Sequence, residues 1–157
     1  MSGPAESLDG ATASGLRVIA FAMGAGIFLL TVVSLFLFAR SAVSAPTPQA
    51  LKFINTLTIL SMAASFAAIV ASEFAWKELL AGANASIQTA FVVRAAVRES
   101  AALLGGVTFL LAGQNGVLRA FPSYWVDLVP AGLFWFFLYM HWPSLANLKA
   151  ELAQIAP

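Results

Sequence analysis

Residues 18–39 read VIAFAMGAGIFLLTVVSLFLFA, a run without a single charged side chain. A helix needs about 20 consecutive apolar residues to cross the hydrocarbon core of a bilayer. Three further segments, 53–75, 87–113 and 124–140, are also largely apolar. Because lipid offers no partner for unpaired backbone groups, each segment is expected to be helical. The sequence therefore predicts an all-α polytopic membrane protein with four transmembrane helices within residues 16–142. A disordered polar tail is predicted over residues 1–15, and a short amphipathic tail over residues 143–157.

The composition of the chain agrees with a membrane protein. Hydrophobic residues make up 61% and charged residues 10% of its 157 residues, against about 45–50% and about 25% in soluble domains. The net charge is +1 and no basic stripe is present, so we expect no nucleic acid partner. Cysteine is absent, which excludes disulfides and thiol chemistry. No nucleotide-binding loop, hydrolase elbow or metalloprotease motif occurs, so we expect neither an enzyme nor a cofactor.

The distribution of Lys and Arg around the segments predicts their orientation, because cytoplasmic ends of membrane helices carry an excess of these residues. Five of these residues are expected on one side of the membrane: Arg17, Lys77, Arg94, Arg98 and Lys149. Three are expected on the other side: Arg40, Lys52 and Arg119. This excess predicts a multi-pass membrane protein with both termini in the cytoplasm.

The first and third segments contain a faint internal repeat at an offset of 74 residues. Ala22 aligns with Ala96, and Leu29 aligns with Leu103. One interpretation is two helical hairpins in direct repeat that enter the membrane in the same direction. The other is chance similarity between apolar sequences.

The same two segments are rich in small residues, which let membrane helices approach closely. The positions predicted to pack are Ala20, Ala22, Gly24, Gly26, Ala102, Gly105 and Gly106. They suit tight packing inside one four-helix bundle, or packing between copies in a homo-oligomer or a larger membrane complex.

The third segment also contains ionisable residues, which are costly at membrane depth and often functional there. Glu99 follows Arg94 and Arg98 on this segment. In one interpretation these residues form a structural charge cluster at the cytoplasmic rim, where the arginines reach lipid phosphates, Glu73 or Glu78. In the other, Glu99 holds a proton or a cation.

Residues 96–100, AVRES, are followed by small residues and an apolar run. This pattern resembles the outer helix of the rotor-ring proteolipids, the c subunits of rotary ATPases. The resemblance implies that Glu99 is the ion-carrying carboxylate, and that the Ser100 hydroxyl and the Val97 carbonyl complete the ion's shell. The chain departs from that pattern at Arg98, where the family has a small residue.

A second resemblance covers residues 16–150. Small bacterial membrane proteins with four predicted helices and no assigned activity are similar around the third segment and after the fourth. The matching positions are Arg94, Ala96, Glu99, Ser100, Leu110, Leu111, Gly113 and Pro143. This resemblance implies a protein of the bacterial inner membrane and contributes no known activity. The small-residue packing and the lack of enzyme motifs favour a non-enzymatic accessory, assembly or scaffold subunit whose partner is the lipid bilayer. The alternative is a proteolipid-like subunit that translocates protons or sodium ions with Glu99.

The polar residues near the fourth segment are interpreted as structural residues of the membrane interface. His141 is expected to be an interfacial polar residue, and Asp127 is expected to face lipid headgroups or Arg119. Beyond Pro143, Leu145, Leu148, Leu152 and Ile155 recur at helical spacing. The resulting helix is predicted to lie on the membrane surface or, equally, to pack on its own bundle.

Overall fold

Helices make up all of the regular secondary structure in the part of the chain that the structure describes. The structure is a computed structural model, and it describes residues 9–41, 45–81 and 86–153. Six α-helices follow one another: α1 (Gly10–Arg40), α2 (Pro48–Ala81), α3 (Ile87–Gln114), α4 (Val117–Ala120), α5 (Val129–Met140) and α6 (Leu145–Ala153). A 3-10 helix, Pro122–Leu128, lies between α4 and α5. The all-α prediction is confirmed for these residues.

Three of the helices, α1, α2 and α3, are each long and apolar enough to cross a membrane. They make the chain a multi-pass membrane protein. The fourth predicted segment is not one continuous α-helix, because its first part is the 3-10 helix and its second part is α5. Pro130 lies in the first turn of α5, and a proline has no N–H to continue the helical hydrogen-bond ladder. Four transmembrane helices are therefore not confirmed.

Helix α3 lies at the centre of the fold and packs against α1, α2, α5 and the 3-10 helix. Leu30 of α1 occupies the space beside Gly106, and Phe38 occupies the space beside Gly113. From the first contact to the second, the residue numbers rise along both helices, so α1 and α3 run parallel. Helices α1 and α2 do not contact each other within the described ranges. The predicted first hairpin is therefore not a packed pair, because α3 lies between its two helices.

Helix α1 begins earlier than the sequence suggests. The Asp9 carboxylate accepts a hydrogen bond of 2.7 Å from the backbone N–H of Thr12 and caps the helix. Residues 10–15 are therefore helical, and the prediction of a disordered tail is wrong for them. Ala13 and Leu16 lie on the buried face of this first part of α1. Residues 1–8 lie outside the described part of the chain.

Helix α6 packs on the bundle. Leu148 and Leu152 are buried in the same hydrophobic core as Leu16 of α1. The Arg17 guanidinium donates to the Pro143 carbonyl at 3.3 Å, which joins α1 to the turn before α6. Of the two predicted arrangements for this tail, the structure has the one in which the helix folds back on its own bundle. Ile155 lies outside the described residues.

The bundle has two chemically different ends. At one end, which we call the charged end, α2 finishes, α3 begins and α6 folds back. At the opposite end, the Arg119 guanidinium donates to the carbonyls of Phe38 and Ser41, at 3.0 and 3.4 Å. A smaller hydrophobic core around Phe109 lies toward the opposite end.

Candidate functional site

The most buried cation at the charged end is Arg94, whose side chain is only 4% exposed. Its Nε and Nη2 atoms donate to the Glu73 carboxylate at 2.7 to 3.1 Å. Its Nη1 atom donates to Glu151 Oε2 at 2.8 Å. One planar guanidinium therefore joins α2, α3 and α6, a geometry for which arginine is suited and lysine is not. We call Glu73, Arg94, Arg98, His141 and Glu151 the Arg94 cluster.

Arg98 lies one turn further along α3 and binds the same partner helix. Its Nη2 atom donates to Glu73 Oε1 at 2.6 Å, and its Nε atom donates to Ser72 Oγ at 2.8 Å. Its guanidinium carbon lies 4.3 Å from the centre of the Phe137 ring. Arg94 lies 5.0 Å from the Trp76 ring centre. Aromatic faces stabilise buried guanidinium groups in this geometry.

His141 closes the cluster from the end of α5. Its Nδ1 atom lies 2.7 Å from Glu151 Oε1, and its Nε2 atom lies 3.5 Å from Arg94 Nη2. The contact between His141 and Glu151 joins the end of α5 to α6. The two arginines and the two carboxylates of the cluster balance each other in charge.

The Glu151 carboxyl shows how burial and neighbours compete. Burial by itself would raise its pKa. The hydrogen bond from His141 and the charge of Arg94 outweigh burial, so the pKa of Glu151 lies below its usual value. The carboxylate is therefore ionised at neutral pH, as its contact with Arg94 requires.

The Arg94 cluster has no free carboxylate oxygen among the described residues. Both oxygens of Glu73 accept from Arg94, and Oε1 also accepts from Arg98. One oxygen of Glu151 accepts from Arg94 and the other from His141. Groups that are satisfied in this way hold helices in position. They do not present an open base or an open set of metal ligands.

The predicted ion-site residues lie elsewhere on α3. Glu99 is partly exposed, and it makes no ion pair or side-chain hydrogen bond within the described part of the chain. Ser100 is exposed, and its hydroxyl donates to the Ala96 carbonyl at 2.8 Å. Val97 is partly exposed in the same turn. These residues lie on an outer face of α3 that continues through Leu103, apart from the Arg94 cluster.

The small residues divide between two faces. Five are buried in the bundle and two are exposed on α1: Ala20, Gly24, Ala102, Gly105 and Gly106 are buried, and Ala22 and Gly26 are exposed. Trp135 and Leu138 of α5 occupy the space beside Gly24. Nothing lies within 4 Å of the position that a Cβ of Gly26 would take.

Sequence reasoning missed the roles of His141 and Glu151. The signal that could have found them is Pro143, which ends the preceding helix and lets the chain turn back. A helix that returns along the bundle brings Glu151 beside His141, ten residues earlier in the chain. The apolar spacing of the tail alone does not tell a surface helix from a packed one.

Asp127 was predicted to face headgroups or Arg119, and this prediction is wrong. Its side chain is fully buried, at 0% exposure. The Thr58 hydroxyl donates to Asp127 Oδ2 at 3.1 Å, and Oδ1 has no hydrogen-bond partner among the described residues. Arg119 is engaged with backbone carbonyls of α1 and its C-terminal cap. The carboxyl is therefore enclosed between the 3-10 helix, α2 and α3.

Comparisons with protein-family models, with curated proteins and with solved structures find no match to this chain. Among the described residues, no group of three or more His, Asp or Glu side chains has the arrangement of a metal site. The geometry of the bundle is therefore what supports the functions proposed below.

Proposed function

We propose that this chain is a non-enzymatic, multi-pass protein of the bacterial inner membrane that acts through helix packing, as an accessory, assembly or scaffold subunit. The observation that carries this proposal is the Arg94 cluster. Its ionised groups satisfy one another and join three helices at one end of the bundle. Forming the cluster removes several charged groups from water, and it leaves none of them free to react. This arrangement is typical of a structural role, in which the ion pairs fix the positions of the helices.

The dimensions of the helices support four crossings of the bilayer. The charge-free stretch of α1 between Arg17 and Arg40 is about 33 Å long at about 1.5 Å per residue. The hydrocarbon core is about 30 Å thick. The 3-10 helix and α5 together reach about 32 Å, because a 3-10 helix rises by about 2 Å per residue. A fourth crossing in two helical pieces therefore has the required length.

The exposed surface of the long helices supports lipid as the surrounding partner. Phe21 and Phe28 of α1 and Phe66 and Phe74 of α2 are each at least 60% exposed. Large apolar side chains in such numbers are unusual on a surface that faces water. We propose that these faces contact lipid or the helices of a homo-oligomer or larger membrane complex.

The orientation proposal, with both termini in the cytoplasm, rests on the Lys and Arg excess and on the contact between Arg17 and the Pro143 carbonyl. The chain has no cysteine, so single cysteines can report which side they face. Ser144→Cys lies at the charged end, and Ser41→Cys is its matched control at the opposite end. In intact cells, a membrane-impermeant maleimide should label Ser41→Cys and leave Ser144→Cys unlabelled until the cells are opened. The reverse pattern would overturn the orientation.

Native mass tests the subunit proposal. The protein, extracted gently with its lipids, should have the mass of a monomer, a small oligomer or a single copy bound to different membrane subunits. A closed ring of many identical copies would contradict the scaffold proposal and favour a rotor.

A second candidate function, translocation of protons or sodium ions by Glu99, is favoured by one observation. Glu99 is the ionisable residue of α3 that makes no ion pair within the described ranges, and the Ser100 hydroxyl is beside it. In proteoliposomes that contain the purified protein, Glu99→Gln should abolish ion flux and Glu99→Asp should retain it. Glu78→Gln, at the exposed end of α2, is the matched control. Flux at the wild-type rate in Glu99→Gln would exclude this function.

A further inference from the structure

The buried carboxyl of Asp127 lies inside the bundle, nearer to the end opposite the charged end. An added Cβ at Gly105 of α3 would lie 2.7 Å from the Asp127 backbone oxygen. The neighbouring Gly106 is level with Leu30 of α1. Leu30 lies close to the midpoint between Arg17 and Arg40, the charged residues that bound the apolar stretch of α1. Asp127 therefore lies inside the apolar layer.

No cation reaches this carboxyl within the described residues. The 3-10 helix packs against α2, α3, α4 and α5. The charged or titratable side chains on these elements, and on the 3-10 helix itself, are Lys52, Glu73, Lys77, Glu78, Arg94, Arg98, Glu99, Arg119, Tyr124 and Tyr139. Lys52 is exposed about six residues from Thr58 along α2, which is about 9 Å at about 1.5 Å per residue. Arg98 is about seven residues from Gly105 along α3, or about 10 Å.

An isolated carboxylate in such a place is costly, and a neutral carboxyl is far less so. The hydrogen bonds agree with this preference. Asp127 receives one hydrogen bond, from Thr58, and Oδ1 has no partner among the described residues. A carboxylate that stays ionised in a protein interior is instead surrounded by several donors or paired with a cation, as the largely buried Glu151 is.

Hydroxyl groups lead from Asp127 toward the charged end along one face of α2. We call Thr58, Ser61, Ser65 and Ser72 the hydroxyl face. Ser61 and Ser72 are fully buried and Ser65 is 6% exposed. Each serine donates its hydroxyl proton to a backbone carbonyl of α2 and keeps oxygen lone pairs free to accept. The last of them, Ser72, accepts from Arg98.

A small cavity lies beside the hydroxyl face, between Asp127 and the Arg94 cluster. Ser65 and Ala68 of α2, Arg98 and Ala101 of α3, and Pro130 of α5 are among its lining residues. Its volume is about 20 Å³. A water molecule needs about 10–15 Å³ of such space and polar partners. The cavity has this volume, and Ser65 and Arg98 are polar groups in its lining. One water molecule there would connect Arg98 with Ser65 of the hydroxyl face.

We propose that Asp127 is a proton-binding site inside the bundle, loaded from the charged end through the cavity and the hydroxyl face. Binding transfers one proton from a hydronium ion to an oxygen of the Asp127 carboxylate, which forms one O–H bond and leaves one water. The site goes beyond the scaffold role, because it gives the bundle a group whose charge changes inside the apolar layer. It is independent of Glu99, which lies on the outer face of α3.

The sequence offers a direct test, because Asp9 and Asp127 are its only aspartates. Wild-type protein labelled with carbon-13 at the aspartate carboxyl, in phosphatidylcholine–phosphatidylglycerol nanodiscs, should give two carboxyl signals by NMR. Asp9→Asn assigns them. The Asp9 signal is the internal control, since its hydrogen bonds from Thr12 hold the pKa of that carboxyl below the usual value.

Over about pH 4 to about pH 9, a range that covers the shifts known for buried carboxyls, we expect the Asp127 signal to change from protonated to ionised well above the Asp9 transition. Two results would overturn the proposal. Asp127 could titrate together with Asp9, as an ordinary ionised carboxylate would. It could also stay protonated without change over the whole range, as a permanently neutral structural group would.

The route is tested separately, by the rate at which the Asp127 carboxyl exchanges its proton for deuterium. Ser65→Val removes a hydroxyl and fills the cavity, so it should slow this exchange. Ser100→Val makes the same change on the exposed face of α3 and should leave the rate unchanged. If Ser65→Val does not fold, Ser61→Ala removes a hydroxyl of the same face without adding volume. Equal rates in the tested variant and the control would exclude the hydroxyl face as the route.

Discussion

Gly105 gives the sharpest test of the packing at the centre of the bundle. A Cβ added there would lie 2.7 Å from the Asp127 backbone oxygen and 2.8 Å from Pro130 Cγ. Non-bonded carbon atoms are at their best separation at about 3.5–4.0 Å. A backbone carbonyl and a proline ring cannot rotate away, so the 3-10 helix and the start of α5 must move. Overpacking of this kind costs about 1–3 kcal/mol.

The matched control is Gly26→Ala, because nothing lies within 4 Å of the position of its Cβ. Replacement of glycine by alanine in a helix gains up to about 1 kcal/mol from propensity alone. Both variants have this gain, so the difference between them isolates the steric cost. Gly106→Ala should fall between them, since its Cβ would meet the flexible end of the Leu30 side chain at 2.6 Å.

The assay is thermal unfolding in a mild detergent, followed by circular dichroism. A domain of this size loses about 2–4 °C in Tm per kcal/mol. We therefore expect the Tm of Gly105→Ala to lie several degrees below that of Gly26→Ala. Equal Tm values for the two variants would refute the close contact between α3, Asp127 and Pro130.

Two further predictions concern the Arg94 cluster. Arg94→Gln should lower the free energy of unfolding by about 3 kcal/mol, which is the low end for a broken buried ion pair, because its partner Glu73 is 40% exposed. The control in the same unfolding assay is Arg119→Gln, whose guanidinium is exposed. An equal loss in both variants would contradict the structural role of Arg94. The second prediction concerns pH: because the folded-state pKa of Glu151 lies below the ordinary 4.5, its contribution to stability is present above pH 4.5 and is lost as the pH falls through the folded-state value. The Tm of the wild type should therefore fall more steeply below pH 4.5 than that of Glu151→Gln, and parallel curves would show that Glu151 adds no such dependence.

The helical spans were largely predictable. Their lengths follow from the thickness of the bilayer, and an uncharged stretch such as residues 18–39 has no other stable form in lipid. Glu73 was also foreseen as one of several partners for the arginines, because a buried guanidinium needs a carboxylate or a phosphate. The division of the fourth segment into a 3-10 helix and α5 was harder to predict. A proline in the first turn of a helix, such as Pro130, is common and does not by itself indicate that a 3-10 helix precedes it.

The rest depended on contacts between residues that are far apart in the chain. Arg94 and Glu151 are separated by 57 positions, and Thr58 and Asp127 by 69. Such distances leave no periodic signal, so neither the Arg94–Glu151 contact nor the burial of Asp127 could be inferred from spacing.

The sequence by itself determined that the chain is helical, that it enters a membrane several times, and that its third segment carries charge. Only the tertiary structure decided that α3 lies between α1 and α2, which small residues face inward, and that Asp127 is enclosed. The physical reason is that helices in lipid are apolar on all sides. Hydrophobicity then predicts which segments are helices. Which side of each helix packs against its neighbours depends on shape and on a few polar contacts.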